Sequence, residues 1–167
     1  MSVALSIKSP EEAVVSSSLR EPLVVSDPMI ADRWARVLDF QIDDPNARTP
    51  FSVVLAERMF WTREMTDLMI LEYKKFMLLC SLYPQNNMTP SVDVDTIWHL
   101  HLLYTNCYFR FCRQALDYNY LHHEPSNGNE EEVEFHESSY DETLEKYNEV
   151  FGMEPPLVVW GQRVRNM

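Results

Sequence analysis

Between Thr62 and Pro84 apolar side chains return at steps of three and four residues: Met65, Leu68, Met69, Tyr73, Phe76, Leu79 and Cys80. That period puts them on one face of an α-helix. Thr62 can accept from the free first-turn amides, and Pro84 cannot continue the helix, so both ends are marked. Asp27 and Pro28 give a second start of the same kind, after which Ile30, Trp34, Val37 and Leu38 share a face. Thr49 and Pro50 repeat the cap-then-proline signal ahead of FSVVLAERMF, a pattern that fits a short helix or a strand. Ser91 or Asp93 can cap a long helix reaching to about Leu116, with acids in its first turn favoured by the helix dipole. Ser139 and Glu142 have capping-box spacing before a narrow stripe of Leu144, Tyr147 and Phe151, which Gly152 ends.

Strand signals are few, and three glycines argue against a turn-rich β architecture. The expected fold is all-α, a small irregular bundle of three to five helices with an irregular N-terminal arm. Residues 1–49 form the arm and first helix, 50–156 a helical domain, and 157–167 a C-terminal tail in which Trp160 can dock on the core. At 167 residues the chain fits one domain that buries roughly two-thirds of its unfolded surface.

The formal net charge of -12 sets a field that opposes a phosphate backbone or an anionic bilayer, so neither nucleic acid nor membrane is an expected partner. No segment approaches the ~20 apolar residues of a membrane helix, and the first residues lack a basic start and a long apolar stretch. A soluble, cytoplasmic protein is expected. Cys80, Cys107 and Cys112 show no CxxC spacing and read as free thiols of a reducing compartment that pack as small hydrophobes. Residues 129–149 hold nine acids and one lysine. They read as a solvated helix face behind a flexible turn or as an acidic surface for a protein partner, with His136 exposed among them.

Residues 92–125, VDVDTIWHLHLLYTNCYFRFCRQALDYNYLHHEP, carry His99, His101, His122 and His123. Helical spacing sorts them. Asp95 and His99 stand on one face beside Trp98, whereas His101 lies on a row with Thr105, Tyr108 and Cys112. One metal is thus not expected to take both His99 and His101. The more economical set is Asp95 and His99 with His122 or His123 folded back from the loop. Two imidazoles and a carboxylate suit zinc or non-haem iron with positions left open. Without metal, Asp95 could orient His99 as a general base. The competing reading is structural, in which the cluster is a buried hydrogen-bond network of an interaction module.

The segments PFSVVLAERMFWT, LEYKKFMLLC, VDVDTIWHLHLLYTNCYFRFC, YLHHEP and YDETLEKYNEVFGMEPP together resemble the glycine-rich-domain-containing-protein-like family, a domain of unknown function, over roughly residues 50–156. The D-x-x-W-H-x-H run and the L-H-H-x-P loop are its sharpest parts. The resemblance implies a shared site at Asp95, Trp98, His99, His101, His122, His123 and Pro125 without naming its chemistry. This chain departs from that family in having LDYNY where a glycine-containing turn precedes the paired histidines, and in its longer first 49 residues. The combined expectation is one divalent metal, zinc or iron, on Asp95, His99 and His123. Trp98 would wall the site, His101 would support it or face a separate partner, and His122 is the alternative loop ligand.

Overall fold

The computed structural model describes residues 23–24, 26–123 and 130–161, with side chains after the 124–129 gap described from 138 onward. The N-terminal arm up to residue 22, Pro125 and the His136 side chain lie outside the described residues. Those described form helices joined by short connections, with no β-strand among them.

Helix α1, Pro28–Asp39, starts where Asp27 accepts from the Met29 amide at 2.8 Å, and it buries Trp34 and Val37. Its carbonyl end is closed from outside, because Lys74 Nζ donates to the Leu38 and Phe40 carbonyls at 3.0 and 2.8 Å. Burial there lowers the Lys74 pKa to about 8. FSVVLAERM is helical, α2 spanning Phe51–Met59, but Thr49 is not its cap. Asp43 does that work from nine residues away, accepting from the Ser52 amide at 2.8 Å and its hydroxyl at 2.6 Å. The helix ends on Phe60 in the left-handed conformation, φ 55, with its side chain turned to solvent.

Helix α3, Arg63–Leu82, begins as its sequence dictates, with Thr62 Oγ1 accepting from the Met65 amide at 3.2 Å. It packs against α1 and α2 and also against two helices that follow, α4, Val92–Leu103, and α6, Glu130–Phe151. It is therefore buried on more than the one apolar stripe. Glu72 and Lys75 are each 1% exposed. Lys75 Nζ meets Glu72 Oε1 at 2.9 Å and donates to Tyr147 Oη at 2.8 Å, while Trp160 Nε1 donates to Glu72 Oε2 at 2.8 Å. The expected docking of Trp160 thus occurs through a hydrogen bond as well as by packing, from a last short helix α7, Leu157–Trp160.

Ser91 caps α4, accepting from the Val94 amide at 3.3 Å. A single helix to Leu116 does not form. At Tyr104 (φ -90, ψ 57) the chain bends, its amide reaching back only to the His101 carbonyl, and the Tyr104 ring lies edge-on to Phe51 at 5.3 Å. Helix α5, Thr105–Arg110, follows and widens into a π-helical turn over Phe111–Ala115, where the Leu116 amide bonds to the Phe111 carbonyl. This turn buries Phe111, Cys112, Ala115 and Leu116 together.

Ser139 is likewise no helix start, because α6 is already nine residues old there. The side chain of Ser139 is buried and its carbonyl accepts from Thr143 Oγ1 at 2.8 Å. Gly152 ends α6 at φ 67, a left-handed backbone that favours glycine, beside the exposed side chain of Val24. The three cysteines are free, and burial raises each thiol pKa, which keeps them protonated and unreactive. No helix among the described residues is long and apolar enough to cross a membrane.

The Glu72–Lys75 pair makes a stability prediction. Glu72→Ala withdraws the carboxylate from a buried ammonium and should cost about 3–5 kcal/mol in urea denaturation. The double variant Glu72→Leu/Lys75→Met should recover part of that loss, because it removes the unpaired ammonium while Trp160 Nε1 and Tyr147 Oη still lose the Glu72 acceptor. A double variant no more stable than Glu72→Ala would show that Lys75 is not the source of the penalty.

Candidate metal centre

Asp95 and His99 come from consecutive turns of α4. Their spacing of four residues brings His99 Nδ1 to 3.1 Å from Asp95 Oδ2 and 3.0 Å from the Asp95 carbonyl. The third group arrives from the loop after the π-helical turn, with His123 Nε2 lying 2.9 Å from Asp95 Oδ1. The His123 ring is stacked on the Trp98 indole, centroids 4.2 Å apart and planes inclined by 15°, and lies 4.5 Å from the His99 ring. Trp98 therefore forms the floor under His123.

One ligand atom from each of Asp95, His99 and His123 falls within 4.8 Å of the others. Donors around a tetrahedral zinc at its usual bond lengths are roughly 3.3 Å apart, close to the two ring-to-carboxylate distances here. The donor set, two imidazoles and one carboxylate, is borderline and suits zinc or ferrous iron better than a hard cation. Burial is graded across it: the side chain of His123 is 14% exposed and that of His99 is 56% exposed. The open side of the cluster thus faces solvent at His99, where water or another small ligand can enter.

The other two histidines take different places. His122 is exposed, with its ring edge-on to Tyr120 at 4.8 Å, and does not join the cluster. His101 is fully buried on the opposite face of α4 among Phe51, Tyr73, Tyr108 and Phe111. Its Nδ1 is hydrogen-bonded to Tyr73 Oη at 2.8 Å, and its Nε2 has no hydrogen-bond partner among the described residues. Burial, reinforced by the Lys74 charge, lowers its pKa to about 3, so the ring is neutral. His101 does not touch Asp95, His99 or His123; its ring packs at 5.2 Å against that of Tyr108.

Tyr108 is the residue that sequence reasoning passed over. Its helical row was legible, but its use was not. The Tyr108 hydroxyl donates to the Leu121 carbonyl at 2.6 Å and accepts from Trp98 Nε1 at 2.9 Å. No spacing rule links residues 98, 108 and 121, because the bend at Tyr104 and the π-helical turn lie between them.

A family model described as UCP032817-like matches residues 48–141, more than half of the chain. The chain belongs to the UCP032817-like family. This corrects the resemblance drawn above, since the match is to a different family from the glycine-rich-domain-containing proteins. The D-x-x-W-H-x-H run and the paired histidines fall inside the matched segment. The family description names no reaction and no ligand. No curated protein and no solved structure matches the chain.

The burial of His101 predicts a pH dependence of stability. The unfolded chain binds a proton near the ordinary value of 6.5, whereas the folded ring does so only near 3. The stability of the neutral buried form is therefore full above 6.5 and is lost as pH falls from 6.5 toward 3, by about 1.4 kcal/mol per pH unit. His101→Gln removes this titration. Urea denaturation at pH 7, 5.5 and 4.5 should show the wild type losing stability more steeply than the variant, and parallel curves would contradict the assignment.

Proposed function

We propose that Asp95, His99 and His123 hold one divalent metal, zinc or iron, with the remaining coordination positions open to water or to a small ligand on the exposed His99 side. One observation carries this reading: three ligand-capable side chains from two separate elements have their ligand atoms within 4.8 Å of one another. The supporting chemistry is the donor set and its graded burial. His123 is kept in place by the Trp98 stack, Asp95 is half-buried between the two imidazoles, and His99 is the most exposed of the three. A metal held by three protein groups is a Lewis acid and lowers the pKa of a bound water, which is the chemistry such a centre would offer.

A second reading is favoured by a specific contact. His99 Nδ1 already has an acceptor in the Asp95 carbonyl at 3.0 Å, and Asp95 already bonds His123, so the cluster closes as a hydrogen-bond network without an ion. On that reading the protein is an interaction module, and the acidic stretch around α6 receives a protein partner of opposite charge.

Metal analysis of protein purified without a histidine tag separates the two. The metal reading expects about one equivalent of zinc or iron, lost in both His99→Ala and His123→Ala, and a melting temperature that chelator lowers in the wild type only. Absence of stoichiometric metal after incubation with zinc or ferrous iron, with melting indifferent to chelator, would sink it. In that case His123→Ala should still cost ~1–3 kcal/mol as a broken network.

A further inference from the structure

We propose that Tyr108 is the positioning residue for His123. Its hydroxyl clamps the Leu121 backbone to the Trp98 indole and so delivers the loop imidazole to Asp95. The consequence for metal binding rests on the metal reading above, whereas the placement of His123 does not.

The Tyr108 hydroxyl is used in both directions. Tyr108 is buried, and its oxygen donates to the Leu121 carbonyl at 2.6 Å while accepting from Trp98 Nε1 at 2.9 Å. Both bonds lie away from water, where a buried donor or acceptor is costly to leave unpaired. Leu121 is two residues before His123. With its carbonyl pinned, Leu121 is buried, His122 is exposed and His123 turns back in. His123 then lands flat on the same indole whose N–H the hydroxyl holds. Trp98 thus fixes the imidazole directly by stacking and fixes its backbone through Tyr108. The His123 to Asp95 distance of 2.9 Å depends on both attachments.

An ordinary core tyrosine would contribute stability without controlling His123, and the test separates these roles. In Tyr108→Phe the ring and its packing stay and only the hydroxyl goes. Stacking on an indole displaces the His123 ring-proton resonances upfield, and these signals are assigned by their disappearance in His123→Ala. Tyr108→Phe should remain folded, lose that displacement, and bind Co²⁺ on the order of 10-fold more weakly. Tyr140→Phe removes another buried hydroxyl, one that donates to the Trp160 carbonyl, and should change neither readout. Adding Tyr108→Phe to His123→Ala should weaken Co²⁺ binding no further than His123→Ala alone, because the two act as one unit.

A folded Tyr108→Phe that keeps the displaced resonances would overturn the proposal, as would fully additive losses in the double variant. If the wild type binds no Co²⁺, the metal reading fails while the ring-proton shifts still decide the role of Tyr108. Should Tyr108→Phe not fold, wild-type protein in rising urea provides the decision. Exchange protection of the Trp98 indole N–H and the displacement of the His123 signals should be lost at the same concentration, and loss at separate concentrations would refute the clamp.

Discussion

The need to satisfy two charges in the middle of α3 organises much of this fold. Glu72 and Lys75 lie on a helix that neighbours cover on several sides, and neither can be left without partners in that setting. Tyr147 of α6 and Trp160 of α7 meet the pair from the C-terminal half of the chain. Lys75 Nζ also lies 5.2 and 5.3 Å from the centroids of the Tyr147 and Phe151 rings. The same helix turns Tyr73 toward His101 of α4 and Lys74 toward the end of α1. One element therefore ties the first helix, the site helix and the C-terminal helices together by polar contacts set within a single turn.

The candidate site sits one layer out from that core. Phe76 of α3 packs edge-on to Trp98 at 5.5 Å, and Trp98 carries His123 on its outer side. The rigidity of the cluster is thus inherited through an aromatic chain that begins on α3. His99 is held instead by Asp95, whose carbonyl accepts from its Nδ1, and by contact with the His123 ring. His99 is also the most exposed of the three, so the cluster is anchored on its inner side and open to solvent on its outer side.

Much of the helical pattern was readable because helix ends are local chemistry. Asp27, Thr62 and Ser91 each cap the helix that their positions announce. The failures have a common cause in contacts from outside the local window. Thr49 gave a plausible signal, but Asp43 reaches the free amide of Ser52 from across a loop. Ser139 and Glu142 have the right spacing, yet α6 begins at Glu130 and Glu142 is engaged by Asn86 instead. The pairing of Asp95 with His99 follows from helical geometry alone. Which loop histidine joins them does not, since it depends on where Tyr108 holds Leu121, a fact of three-dimensional packing across a bend.

The π-helical turn at Phe111–Ala115 gives the doubled histidine a different significance. A turn of this kind is equivalent to one residue added to an α-helix, so its length sets the register of everything after it. In the loop that follows, burial alternates over Leu121, His122 and His123. The slip caused by one inserted residue would carry His123 outward and bring His122 to its place, leaving an imidazole above Trp98. Two adjacent histidines therefore keep an imidazole at this corner of the molecule after an insertion of one residue upstream, an error that would otherwise remove the loop's contribution altogether.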